Sequence, residues 1–304
     1  MIRTKAGAAS LSIASNAVLI ALKLAAGAIT GSIAILTEAI HSSIDLLASV
    51  IALVSVRKAD EPPDPEHPYG HQKMENLAAA IEGMLILVGA GIIIYEATRR
   101  LATGAELQDL GVGIAVIAFS MLANVAVSAF LYRRARELDS AALAGDAAHL
   151  STDALTSLGV VVGLVLVEVT GDPAFDAIAA LCVAVAIVWA GIRILTRSGQ
   201  VLIDESLPPD ELDRIEAAIS AERSRTPEIA GYHKLRARRA GARRYVDLHV
   251  QFRQGTTLEH AHSLAHRLRD AIEAELPGSE VLIHAEPEDS LTPPEALEEP
   301  LRHG

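Results

Sequence analysis

Two short stretches of this chain carry residue types that could hold a metal ion: His41-Ser-Ser-Ile-Asp45 and His149-Leu-Ser-Thr-Asp153. In each, an imidazole precedes a carboxylate by four residues, inside a run of Ala, Leu, Ile, Val and small hydroxyls. On a helix those two positions lie one turn apart on the same face. Two such helices facing each other would offer two nitrogens and two oxygens, a set suited to one tetrahedral zinc-like ion. A charged side chain at a bilayer centre costs at least ~2.5–3.5 kcal/mol. For one isolated pair, a His bonding its own Asp in a helix-packing contact would be explanation enough. Two pairs at identical spacing favour a bound cation.

The elements that must position these residues are long and apolar. The chain has 304 residues, 51% of them hydrophobic, and a mean hydropathy of +0.32. The apolar residues crowd into the first two thirds and the charges into the last, which suggests a membrane domain followed by a soluble one. A bilayer core of ~30 Å needs about 20 apolar residues per helix, and six segments qualify: 7–30, 33–56, 77–98, 110–132, 144–169 and 174–196. The start resembles a signal peptide, but its apolar run is long and five more follow, so it reads as a retained first span. Cationic residues (Arg57, Lys58, Arg133, Arg134 and Arg136 among them) gather on one side, with Arg99 and Arg100 on the other. The positive-inside rule then places both termini in the cytoplasm.

Between the second and third segments, four prolines and several acids make a polar cytoplasmic loop that cannot continue either helix. Asp64, His67 and His71 in this loop could wrap one ion and leave its fourth position open. The other intramembrane charges, Lys23, Glu38, Glu82, Glu168 and Asp176, have no partner at motif spacing. They read as anchors, caps or helix-pairing groups, and Asn124 and Ser128 as hydrogen-bonding groups between helices.

After residue 206 the pattern changes. An amphipathic helix opens at Pro208; Tyr232–Arg238 and Arg244–Phe252 alternate as strands around Gly241; Thr257–Glu275 is a second helix; and Val281–Ala285 is a third strand. The order αββαβ predicts an α+β domain with helices on one face of its sheet. With His303 of the tail, this part of the chain carries seven of the eleven His, including His233, His249 and His284 on strands and His260, His262 and His266 on the second helix. The expected domains are 1–206, 207–290 and a disordered acidic tail, 291–304. The single Cys, Cys182, excludes a disulfide framework and a thiolate cluster. The net charge of −12 without a long basic patch argues against nucleic acid as a partner.

The paired motifs, the His67-Pro-Tyr-Gly-His71 loop followed by Lys73 and Glu75, the six spans and the αββαβ tail together resemble the cation diffusion facilitator family over residues 6–290. The resemblance implies a homodimer in the cytoplasmic (inner) membrane that exports a divalent metal in exchange for protons, and a ferredoxin-like C-terminal domain that binds regulatory metal. Carried over by position, it implies a transport site of His41, Asp45, His149 and Asp153 and a loop site of Asp64, His67 and His71. It also implies a tail site of His233, His249, His262, His284 and Glu286, and a charge pair of Lys73 with Asp204 that locks the protomers. Glu286 stands where an Asp is usual, and Ala285 where a polar residue is. The His-Asp/His-Asp set resembles the zinc-selective members, making Zn2+ the expected cargo and Fe2+, Mn2+, Co2+ or Cd2+ the alternatives. Rival readings are a non-transporting metal sensor and an intramembrane metal hydrolase. The hydrolase needs an open coordination position and a general base; with four protein ligands and no His-Glu-x-x-His run, the chain is expected not to be an enzyme.

Overall fold

The computed structural model describes residues 4–30, 33–103, 111–172 and 174–288; several side chains within these ranges, those of His41 and Asp45 among them, fall outside the description. The chain divides into two compact units, Met1–Leu202 and Ile203–Gly304.

The first unit consists of the helices α1 (Lys5–Thr30), α2 (Ile33–Ala59), α3 (Lys73–Thr103), α4 (Gly111–Glu137), α5 (Ala141–Thr170) and α6 (Ala174–Leu202). Each reaches or passes the C-terminal end of its apolar segment, because a backbone already hydrogen-bonded continues into flanking residues that favour helix. Among the described residues, three stretches are long and apolar enough to cross a membrane: Lys5–Ala25, Lys73–Arg99 and Ala177–Leu202. The helices α2 and α5 carry the His-x-x-x-Asp motifs.

Hydrogen bonds fix the helix directions. Lys5 Nζ meets Glu75 Oε1 at 2.5 Å, and Ser140 Oγ donates to the other oxygen of Glu75. The N-terminal ends of α1, α3 and α5 therefore sit together. Lower in α1, Ser12 and Asn16 meet Ser49 of α2 at 3.0 and 2.9 Å; higher up, Lys23 donates to Ser42 at 2.7 Å. The numbering rises along α1 as it falls along α2, so the two are antiparallel. Lys23 is buried and pairs helices instead of reaching for the membrane surface. Ser128 of α4 donates to the Ala147 carbonyl of α5 at 2.7 Å, the interhelical role expected of it. The side chains of Glu38, Glu168 and Asp176 lie outside the described residues.

The second unit follows the αββαβ order: α7 (Pro209–Arg225), β1 (Ile229–Ala240), β2 (Arg243–Phe252), α8 (Leu258–Glu275) and β3 (Ser279–Pro287). β1 pairs antiparallel with β2, and β2 pairs parallel with β3. The hairpin turns at Gly241, whose φ of +58° suits a residue without Cβ. Thr257 caps α8 by accepting from the His260 amide. Arg244 of β2 grips Glu211 of α7 with two bonds, 3.0 and 2.8 Å.

Val246, Leu248 and Val250 alternate along β2 and bury one sheet face against Ile215, Ile219, Leu264, Leu268 and Ile272. Each fully buried aliphatic side chain contributes about 1.5–3 kcal/mol. The opposite face is left for polar residues. The segment expected as a disordered tail lies outside the described residues.

Candidate metal centres

On α5, His149 is buried and Asp153 half-buried, one turn apart as the spacing predicts. Their α2 counterparts His41 and Asp45 lie on helix, with side chains outside the described residues. One turn before His149 stands Asp146, fully buried, which accepts from Ser49 Oγ at 2.9 Å. Ser49 lies one turn beyond Asp45 on α2, so a polar network joins the two motif helices directly beside the motifs. Sequence reading passed over Asp146. The signal available was an acid three residues before a motif His, on the same helical face.

The loop brings Asp64, His67 and His71 together, with one ligand atom from each lying within 4.8 Å of the others. Asp64 Oδ1 accepts from the backbone amides of His67 (2.6 Å) and Glu66 (3.0 Å), and lies 3.2 Å from His67 Nδ1. Its Oδ2 lies 3.2 Å from Nε2 of His71, which is buried. The His67 amide bond is the main cause that holds the Asp64 carboxyl below its usual range; the two imidazoles add to it, against a partial loss of solvent. Gly70 turns the chain at φ +82°, and Gln72 ties the loop back to the Ala59 carbonyl at 2.8 Å. The prolines that stop helix thus leave a short path that folds on its own aspartate.

In the second unit the donors come from three strands. Register places His233 of β1 opposite His249 of β2, and His249 beside His284 of β3. Glu286, two residues beyond His284, shares its face. A bulge after His233 interrupts the β1–β2 register, which locally re-aims a strand. His233 Nε2 lies 2.9 Å from Glu286 Oε2 and His249 Nδ1 lies 2.5 Å from Oε1; His284 Nε2 stands 3.5 Å from Oε1. Burial raises the Glu286 carboxyl, but bonds from His233 and His249 outweigh it and bring its pKa to about 2. Ligand atoms of His233, His249 and Glu286 lie within 4.8 Å of one another, and that donor set fits a zinc-like ion with a further position open to His284.

His262 is not brought into this group within its own chain. It lies on α8, whose apolar side packs on the other face of the sheet, and its Nε2 meets His266 Nε2 at 3.0 Å. Lys73 donates to the Leu202 carbonyl at 3.1 Å, and Asp204 accepts from Arg238 at 3.0 Å.

Both units of the chain are similar to known proteins. Residues 9–203 match the cation efflux transmembrane domain, and residues 207–288 the cation efflux protein cytoplasmic domain. An uncharacterized transporter of Synechocystis sp. is 35% identical over 279 residues, covering 92% of this chain and 89% of that one. The cation-efflux pump FieF of Yersinia pestis is 33% identical over 281 residues, 92% of each chain. Among solved structures, the zinc form of CzrB, described as a candidate zinc transporter, is 36% identical and covers 29% of this chain and 98% of its own, with a TM-score of 0.27. The metal-bound C-terminal domain of the CzcD transporter from Thermotoga maritima is 27% identical, covering 27% and 94%, with a TM-score of 0.24. The chain belongs to the cation diffusion facilitator family, as an integral membrane protein of divalent-metal efflux with a C-terminal α+β domain.

Proposed function

We propose that the protein exports Zn2+ from the cytoplasm in exchange for protons, by alternating access around a site made of His41, Asp45, His149 and Asp153. The observation that carries this reading is the α5 turn holding a buried His149 and a half-buried Asp153 inside a unit of apolar helices. Two imidazoles and two carboxylates suit tetrahedral zinc better than the harder Mn2+, which prefers oxygen donors. All six helices are read as spans, with both termini and the second unit on the cytoplasmic side of the inner membrane. The joined N-terminal ends of α1, α3 and α5 agree with that reading, since alternate spans must start on one side.

The ion sheds water into the four donors and displaces protons, because ligating imidazole must be neutral and ligating carboxylate ionised. Once the site opens to the far side, protonation of His41 and His149 weakens the hold on the ion. Imidazole, titrating near ~6.5, suits an exchange driven by a modest pH gradient. Acidic residues of the loop and tail raise the local cation concentration. Asp64, His67 and His71 would hold a second ion. In a ferredoxin-like tail domain, His233, His249, His284 and Glu286 would hold regulatory or structural zinc, stabilising a homodimer. His262, on the other layer of its own chain, would reach that site only from a second copy.

The test is flux in proteoliposomes of the full chain under an imposed pH gradient. Zinc uptake should require the gradient and exceed Mn2+ and Fe2+ uptake. Faster movement of Mn2+ or Fe2+ would overturn the zinc assignment, and zinc movement indifferent to pH would overturn the exchange.

A further inference from the structure

Glu82 lies within the membrane-crossing stretch of α3 and is fully buried. Neither of its carboxyl oxygens has a hydrogen-bond partner among the described residues. Its Oε2 occupies the space that a Cβ at position 145 would fill, so Gly145 of α5 is what admits the side chain. The charged group near enough to act on it is Asp146, the next residue of α5. One oxygen of Asp146 is bonded by Ser49, while its Oδ2 is buried without a hydrogen-bond partner among the described residues.

Two buried carboxyls with orphaned oxygens repel each other if both are ionised, and each is costly to charge without a partner. Among the described residues no lysine or arginine offsets them, and the one imidazole acting on Asp146 is that of His149. The helices packed on α3 are α6, α5 and α2. Near Gly83, α6 presents its Gly191–Leu195 turn; the cation there, Arg193, is exposed and lies over the Trp189 ring at 5.4 Å. From α2, Ser49 bonds Asp146, and Ala52 and Val56 pack with Ala78 of α3 and Ala142 of α5; all are uncharged. Lys5 is engaged two turns away on Glu75. What remains to balance the pair is a small exchangeable cation.

We propose that Glu82 carries a proton, held against Asp146, and that this proton is released and retaken during the transport cycle. Glu82 thereby becomes a coupling group outside the four-ligand site. The proton balance is simple: the neutral Glu82 acid loses H+ to water when a divalent ion arrives one turn away at His149, and the carboxylate regains H+ when the ion leaves. The added positive charge near Asp146 offsets the ionised Glu82, which links the two events.

The cycle part rests on the transport reading above, whereas the protonation itself does not, so the test has two readouts. Infrared spectra of the full-length protein in nanodiscs at neutral pH should contain a carboxylic-acid C=O band that is lost in Glu82→Gln and diminished when zinc is added to the wild type. In proteoliposomes, Glu82→Gln should move fewer protons per zinc ion, and its zinc affinity should depend less steeply on pH. A Glu82→Gln spectrum identical to wild type, or an unchanged proton-to-zinc ratio at wild-type flux, would overturn the proposal. Should that variant fail to fold, Glu82→Asp keeps the carboxyl and must shift the band; an unshifted band is equally contrary. If the wild type moves no zinc, the transport reading fails, while the infrared band still decides whether Glu82 is protonated.

Discussion

The carboxylates of the loop and of the sheet differ from those among the helices in how their charge is satisfied. Asp64 is held by two backbone amides and two imidazoles, and Glu286 by His233 and His249. Both are settled as anions by their own surroundings, with water close by. Among the described residues of the helices, Asp146 receives a serine hydroxyl on one oxygen, and neither oxygen of Glu82 has a hydrogen-bond partner. The first arrangement makes a stable holding site. The second leaves charge to be balanced by whatever cation arrives, as a group that must load and unload its cargo requires.

The largest expected effect is at the helical motifs. Asp153→Ala should reduce zinc flux at least ~100-fold, since even outer partners of metal ligands are worth 10–100-fold; Asp45→Ala should do the same, and flux surviving both changes would break the distinction. His41→Asp gives the site a third carboxylate and should shift cargo towards harder ions such as Mn2+, read from competition flux. Unchanged zinc preference would remove His41 from the account.

At the sheet, Glu286→Gln should weaken zinc binding by about tenfold or more, while leaving the helical site's affinity intact. Its pH dependence has a definite sign. The folded carboxyl titrates at about 2, below its ordinary value of 4.5. Its ionisation therefore adds stability that is fully present above 4.5 and is lost as pH falls towards 2. The metal-free wild type should lose its thermal advantage over Glu286→Gln across that window; a constant gap would contradict the His233–Glu286–His249 geometry.

The smallest effect is Ser49→Ala. It removes one donor from Asp146 and should cost about 1–3 kcal/mol in unfolding free energy, measured by denaturant melts in detergent. A neutral result would mean that this network adds little to helix packing.

What could be read from the residues follows from how locally each feature is made. The loop site was legible because its three donors lie within eight residues, and prolines fix where the helices stop. The αββαβ order was legible from alternation and from Gly241, and Thr257 marked the start of α8. The sheet site needed register: nothing in the spacing of His233, His249 and Glu286 says that two imidazoles converge on one carboxylate. His262 and His266 lay legibly on one helix face, yet only packing reveals that this helix covers the opposite side of the sheet from His249. The burial of Glu82 depends on Gly145 of a neighbouring helix, which no local pattern announces, and Asp146 was marked only by standing three residues before a motif His. For Lys23, sequence left anchoring, capping and helix pairing open, because its Ser42 partner lies on another helix.

One zinc ion bound between α2 and α5 would be seen by anomalous scattering from zinc-soaked crystals of the full chain. The expected result is a peak bonded to His41, Asp45, His149 and Asp153 together. Zinc at the loop and sheet sites with no peak between the two helices would contradict it.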